Sequence, residues 1–176
     1  MDKNTLKHVG RFVVFIATQV LILNQMQFSG YINPYIYVMF ILLLPFETKG
    51  WVLLLSAFAL GLGIDMFSNS LGIHASACLL LAFLRPSVIR LISIKTDFEA
   101  GTEPRISNMG FGWIFIYTLI LVFIHHFALF LLEVFRFDEI LETISRTLLS
   151  TLFTLVFIML IHFLMGNPQK SRSMIR

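Results

Sequence analysis

Six apolar runs, each between 16 and 26 residues long, take up most of this 176-residue chain, and no other feature restricts its fold so tightly. They are Gly10–Phe28, Tyr31–Phe46, Trp51–Phe67, Leu71–Ile92, Phe111–Phe135 and Ile140–Met165. A helix needs about 20 mostly apolar residues to cross a hydrocarbon core of about 30 Å. Only structures that satisfy every backbone N–H and C=O internally persist there. The runs therefore predict an all-α integral membrane protein, one six-transmembrane-helix bundle with little chain left for a soluble domain. Composition agrees, with 57% hydrophobic and only 13% charged residues against about 25% charged in an average soluble domain.

Charge predicts how such a bundle is oriented. With a cytoplasmic N-terminus, 11 of the 13 Lys and Arg residues fall in inside segments, leaving only Arg136 and Arg146 outside. The positive-inside rule then puts both termini in the cytoplasm and requires an even number of spans. The same bias accounts for the net charge of +3, so nothing here asks for a nucleic-acid partner. Lys3, Lys7 and Arg11 before an apolar run imitate a secretory signal, but no small-x-small cleavage site follows, which predicts an uncleaved first span. The single Cys78 lies in an apolar run and reads as a packing residue.

The second and third runs are joined only by Glu47–Gly50, which predicts a tight helical hairpin or a re-entrant pair, the two being similar in sequence. Pro34 suits the first turn of its helix, and Pro45 its end. On the outer side, Phe137, Ile140, Leu141, Ile144 and Leu148 recur at helical spacing opposite Asp138, Glu139 and Glu142. This predicts a short amphipathic helix running into the sixth span, either lying at the headgroups or offering a docking surface between Glu133 and Arg146.

Between Gly61 and Pro86 the sequence places Asp65, His74 and Arg85 among residues that otherwise belong in hydrocarbon. An ionisable group at bilayer depth costs roughly 2.5 to 3.5 kcal/mol, so such groups face a protein interior and act there. Ala57 with Gly61, and Ala59 with Gly63, have the spacing that lets helices approach closely. Spans three and four are thus expected to pack backbone to backbone. Ser68, Asn69 and Ser70 are residue types that cap a helix start. Asp65 has two structural roles open to it, accepting from the free N–H groups of span four or pairing with His74, beside partner binding or transport of a proton or ligand. Arg85 is expected to snorkel to the cytoplasmic headgroups or to hold an anionic lipid or partner. Pro86 is expected to kink or end the helix. Gln19, Asn24 and Gln25 read as interhelical hydrogen-bonding groups. His125 and His126 diverge by about 100° on a helix and make a poor metal pair. No nucleophile–base pattern, phosphate loop or dinucleotide fingerprint occurs.

Several short motifs fall in a telling order. Asn33-Pro34 opens the second run and Leu44-Pro45 closes it; Gly61-x-x-x-Asp65, Leu71-Gly72-Ile73-His74 and Leu84-Arg85-Pro86 follow. This order resembles the rod-shape-determining protein MreD family, most closely over the central third of the chain. The resemblance implies a six-span bundle similar to the substrate-binding subunits of energy-coupling-factor transporters, in the bacterial plasma (inner) membrane. It also implies a non-catalytic scaffold of cell-wall elongation that maintains cell shape by binding MreC and peptidoglycan synthases. The implied partners are MreC, RodA with its penicillin-binding transpeptidase, and the actin-like MreB, directly or indirectly, together with membrane lipids. Gly61, Asp65, Gly72, His74, Arg85 and Pro86 are the structural or partner-contact candidates, with no catalytic, cofactor or metal residue. The rival from another class is a vitamin-binding subunit of an energy-coupling-factor transporter. Such subunits carry an Ala-x-x-x-Ala face on the first span, whereas here Ala17 stands alone between Arg11 and Gln27. An enzyme built on Asp65 and His74 would lack a second carboxylate, metal cluster or nucleophile nearby.

Overall fold

A computed structural model of the chain describes residues 3–25, 33–93, 98–135 and 138–165. Regular structure among the described residues is helical throughout. Five helices are long and apolar enough to cross a membrane: α1 (Lys3–Leu21, extended by a 3-10 turn at Leu23–Gln25), α3 (Gly50–Ser68), α4 (Ile73–Ile92), α6 (Phe111–Val134) and α7 (Ile140–Met165). Two more are single turns, α2 (Met39–Leu42) and α5 (Ile106–Met109). The chain is an α-helical, multi-pass membrane protein. Of the basic residues that orient it, Lys95, Arg136, Lys170, Arg172 and Arg176 lie outside the described residues.

The distribution of side chains is the reverse of a water-soluble bundle. On α7 every fourth residue from Ile144 through Leu148, Leu152, Val156, Leu160 and Leu164 is exposed, while Thr143, Thr147, Ser150, Thr151 and Thr154 are buried. Lipid takes the aliphatic face, and the hydroxyls turn inward, where Thr143, Thr147, Ser150 and Thr154 hydrogen-bond while Thr151 Oγ1 has no partner among the described residues. This helix begins at Ile140 and runs unbroken to Met165, so the expected outer amphipathic helix is simply its first turns. Leu141, Ile144 and Leu148 share its exposed side; Phe137 lies outside the described residues.

Helix α3 packs on α4, α4 on α6, α6 on α7, and α1 on α3. The α3–α4 contact is set by Gly61, where an added Cβ would lie 2.4 Å from Ala75 Cα and 2.6 Å from the His74 carbonyl oxygen. No side chain fits there. The two small-residue pairs part company, however. Ala57 and Gly61 are buried, whereas Ala59 is exposed and Gly63 faces Ile16 of α1. Pro86 sits on the exposed side of α4, which continues to Ile92 rather than ending at it.

The second apolar run departs most from expectation. Over its described residues, 33–46, it forms no continuous helix. Residues 33–35 are irregular, Ile36–Val38 form a 3-10 turn, α2 adds four residues, and the chain turns away through Leu43 and Leu44 to Pro45. Prolines at both ends leave too few residues for a regular span, since neither can donate a backbone bond. Every residue from Tyr35 to Leu44 is buried. The segment is therefore a core that the long helices surround.

Candidate functional site

A broken segment buried away from water must have its peptide groups satisfied by side chains, because an unpaired one costs as much as a lost hydrogen bond. At its N-terminal end the Gln19 amide does this from α1. Its Nε2 donates to the Pro34 carbonyl at 3.1 Å, and its Oε1 accepts from the Ile36 N–H at 3.0 Å. The carboxamide thus stands in for a neighbouring strand. Asn24 accepts the second Gln19 N–H and donates to Ser68 Oγ on α3. From α7, Ser150 Oγ accepts the Asn33 N–H and Thr154 Oγ1 accepts the Tyr35 N–H. Gln19 and Asn24 were legible as interhelical donors, but the serine and threonine were not singled out. A hydroxyl every turn on a lipid-embedded helix was the available signal.

At its C-terminal end, Tyr117 of α6 donates to the Leu42 carbonyl at 3.1 Å. Arg85 of α4 donates through Nε to the Tyr117 hydroxyl at 2.8 Å, and through an Nη to the Leu44 carbonyl. Arg85 is 1% exposed, so it does not snorkel. Its charge instead meets the Leu44 carbonyl, two residues past the end of α2. Sequence gives the depth of a residue along a helix but not which way it points, and the inward azimuth is what the expectation missed.

In the middle, the Tyr37 hydroxyl lies 2.8 Å from His74 Nδ1 and 3.0 Å from His125 Nε2. A hydroxyl has one proton, so one imidazole accepts it and the other donates. His126 points elsewhere: its Nδ1 is 2.8 Å from the Val122 carbonyl and must carry the proton, which leaves Nε2 to accept from Thr154 at 3.0 Å. The histidine pair thus serves two different partners, and both rings are fully buried. Cys78 Sγ lies 3.9 Å from the same His125 nitrogen that Tyr37 already engages.

The α3–α4 turn is held by Asp65, through the first of its two expected roles. Its Oδ1 accepts the His74 N–H at 3.0 Å and the Ser70 hydroxyl at 2.6 Å; its Oδ2 accepts the Ala75 N–H at 2.9 Å. These N–H groups belong to the first turn of α4, where a carboxylate also complements the helix dipole. The cap comes from the preceding helix, not from Ser68, Asn69 or Ser70. Gly72 precedes α4 at φ 83°, a left-handed conformation that costs glycine little.

Beside the start of α1, buried Glu103 gathers Lys7 Nζ at 2.8 Å, Arg11 at 3.0 and 3.1 Å, and Arg105 Nε at 2.7 Å. Burial alone would raise this carboxyl, but hydrogen bonds from Arg11 and Lys7 and the charges of Arg11 and Arg105 outweigh it and hold it at about 2. The cluster fastens α1 to the loop between α4 and α6, and the adjacent Thr102 carbonyl accepts the Phe46 N–H at 3.1 Å. Sequence reading passed over Glu103, although Lys7 and Arg11 four residues apart already share a helix face.

Beside Tyr35 and His74, at the end of the bundle that holds the α3–α4 turn, lies a cavity of about 610 Å³, with the Glu133–Arg146 ion pair in its wall. No family model matches the chain, and comparison with curated proteins and with solved structures returns no match either.

Proposed function

We propose that this chain is a non-catalytic membrane scaffold of bacterial cell-wall elongation, spanning the plasma membrane six times with both termini cytoplasmic and binding MreC and the peptidoglycan synthases. One observation carries the reading: three of the buried ionisable groups are committed to the fold. Asp65 holds the start of α4, Arg85 the end of the broken segment, and His126 a hydroxyl that itself holds Tyr35. A catalytic centre needs such groups available to a substrate. The motifs that carry the MreD resemblance also converge on these contacts, since Pro34 and Leu44 are the clamped carbonyls, Gly61 admits α4, and Asp65, His74 and Arg85 are among the clamps. On this reading the buried segment is the sixth crossing, the fold is similar to the substrate-binding subunits of energy-coupling-factor transporters, and the effect passes through partners.

The test is purification in mild detergent with identification of what co-purifies. MreC or RodA is the expected result. An ATPase pair with a transmembrane coupling subunit would replace this reading with the vitamin-binding one.

A further inference from the structure

The cavity beside the α3–α4 turn has no place in a scaffold held together by its own core. At about 610 Å³ it falls in the range of small-molecule sites, roughly 300 to 1,000 Å³. Its walls come from distant parts of the chain: the end of α1, the start of the broken segment, the α3–α4 turn, the end of α6 and the beginning of α7. They are fixed by the contacts described above, with His74 and Tyr35 tied into the core and the α3–α4 turn clamped by Asp65. The cavity is therefore preorganised.

Its lining sets the ligand chemistry. Gln25, Asn33 and Asn69 bring carboxamides, each able to donate and accept, and Tyr35 brings an aromatic ring with a hydroxyl. Among the described lining residues the one carboxylate and the one guanidinium, Glu133 and Arg146, lie 3.1 Å apart and cancel, and the guanidinium also sits 4.2 Å over the Phe130 ring. A charged ligand would have to break that pair or remain uncompensated in a partly dry site. A neutral one need not. We propose that the cavity binds an uncharged ligand of sugar size, recognised through its hydroxyl and amide groups.

The inference stands apart from the scaffold reading, and either can fail alone. To test it, protein reconstituted in phosphatidylcholine nanodiscs, free of glycoside detergent, is titrated with N-acetylglucosamine and separately with zwitterionic glycylglycine under saturation-transfer NMR. Saturable transfer to the sugar alone is expected. Asn69→Gly removes a carboxamide while keeping the left-handed turn at φ 52°, and should weaken binding about five-fold, the worth of one hydrogen bond. Gln25→Trp adds bulk on an exposed wall residue and should abolish binding without moving the unfolding temperature. The proposal is overturned if the wild type shows no saturable transfer up to tens of millimolar sugar, if both variants bind like wild type, or if glycylglycine binds more tightly.

Discussion

A carboxylate nine and ten residues upstream of the two N–H groups it caps is an unusual way to begin a helix, and Gly61 makes it possible here. With no Cβ at that position, α3 comes close enough to α4 for the Asp65 side chain to reach His74 and Ala75. Asp65→Leu should therefore leave these donors unsatisfied at roughly 1 to 3 kcal/mol, while Asp65→Asn, which keeps an acceptor oxygen, should lose less. Thermal unfolding in detergent ranks the three proteins; equal losses for Leu and Asn would mean that the charge, not the acceptor, matters. The same reasoning separates two glycines. Gly61→Ala forces the α3 and α4 backbones apart, whereas at Gly63 the new methyl meets only the tip of Ile16 at 3.0 Å. Folded yield should fall sharply for the first and little for the second. At this scale the sequence was legible for Asp65, because a lone acid just before a turn and a fresh helix has few partners to choose from. It was not legible for His125, because nothing in a diverging histidine pair reveals that a tyrosine from another segment lies against one ring.

Among the elements, the broken segment 33–46 has its backbone held from outside itself, so its stability belongs to residues on other helices. Gln19→Leu should free the Pro34 carbonyl and Ile36 N–H together, and Arg85→Met should free the Leu44 carbonyl; each is expected to cost roughly 1 to 3 kcal/mol. Hydrogen exchange confined to residues 34–44 would reveal the opening; unchanged protection there would show that the clamps are redundant. The sequence displayed the ends of this element, through Pro34 and Pro45, but its apolar content looked like any other span. What distinguishes it is the polar complement scattered over α1, α4, α6 and α7, which no local pattern contains. The fastening of α1 has its own pH signature. A carboxyl free at 4.5 and held at about 2 contributes stability that is full above pH 4.5 and is lost as pH falls through about 2. Attachment of α1, followed by a fluorophore pair on α1 and the Glu103 loop, should thus be constant from neutral pH to about 4.5 and loosen only toward 2. Glu103→Gln should show the loosened state at neutral pH.

For the whole molecule, long apolar helices with a polar centre were readable from composition and period alone, since lipid demands both. Orientation and purpose rest on the scaffold reading and are testable together. In a Cys78→Ala background, a cysteine at Asn69 should react with a membrane-impermeant reagent from outside and one at Lys49 should not, because they end α3 on opposite sides. The reverse pattern would overturn the positive-inside orientation. If the protein works by holding partners, its loss should act on the shape of the cell rather than on the turnover of a substrate. Depletion in the host should then give wider or rounder cells with mislocalised partners. Gly61→Leu should reproduce that phenotype by forcing α3 from α4. Tyr37→Phe, which leaves His74 Nδ1 and His125 Nε2 without their shared hydroxyl but alters no surface, should reproduce it only in proportion to lost folded protein. Normal shape after depletion, with impaired uptake of a vitamin, would reject the scaffold. A strong Tyr37→Phe defect at normal protein level would instead show that the buried hydroxyl between the two imidazoles does more than hold the bundle together.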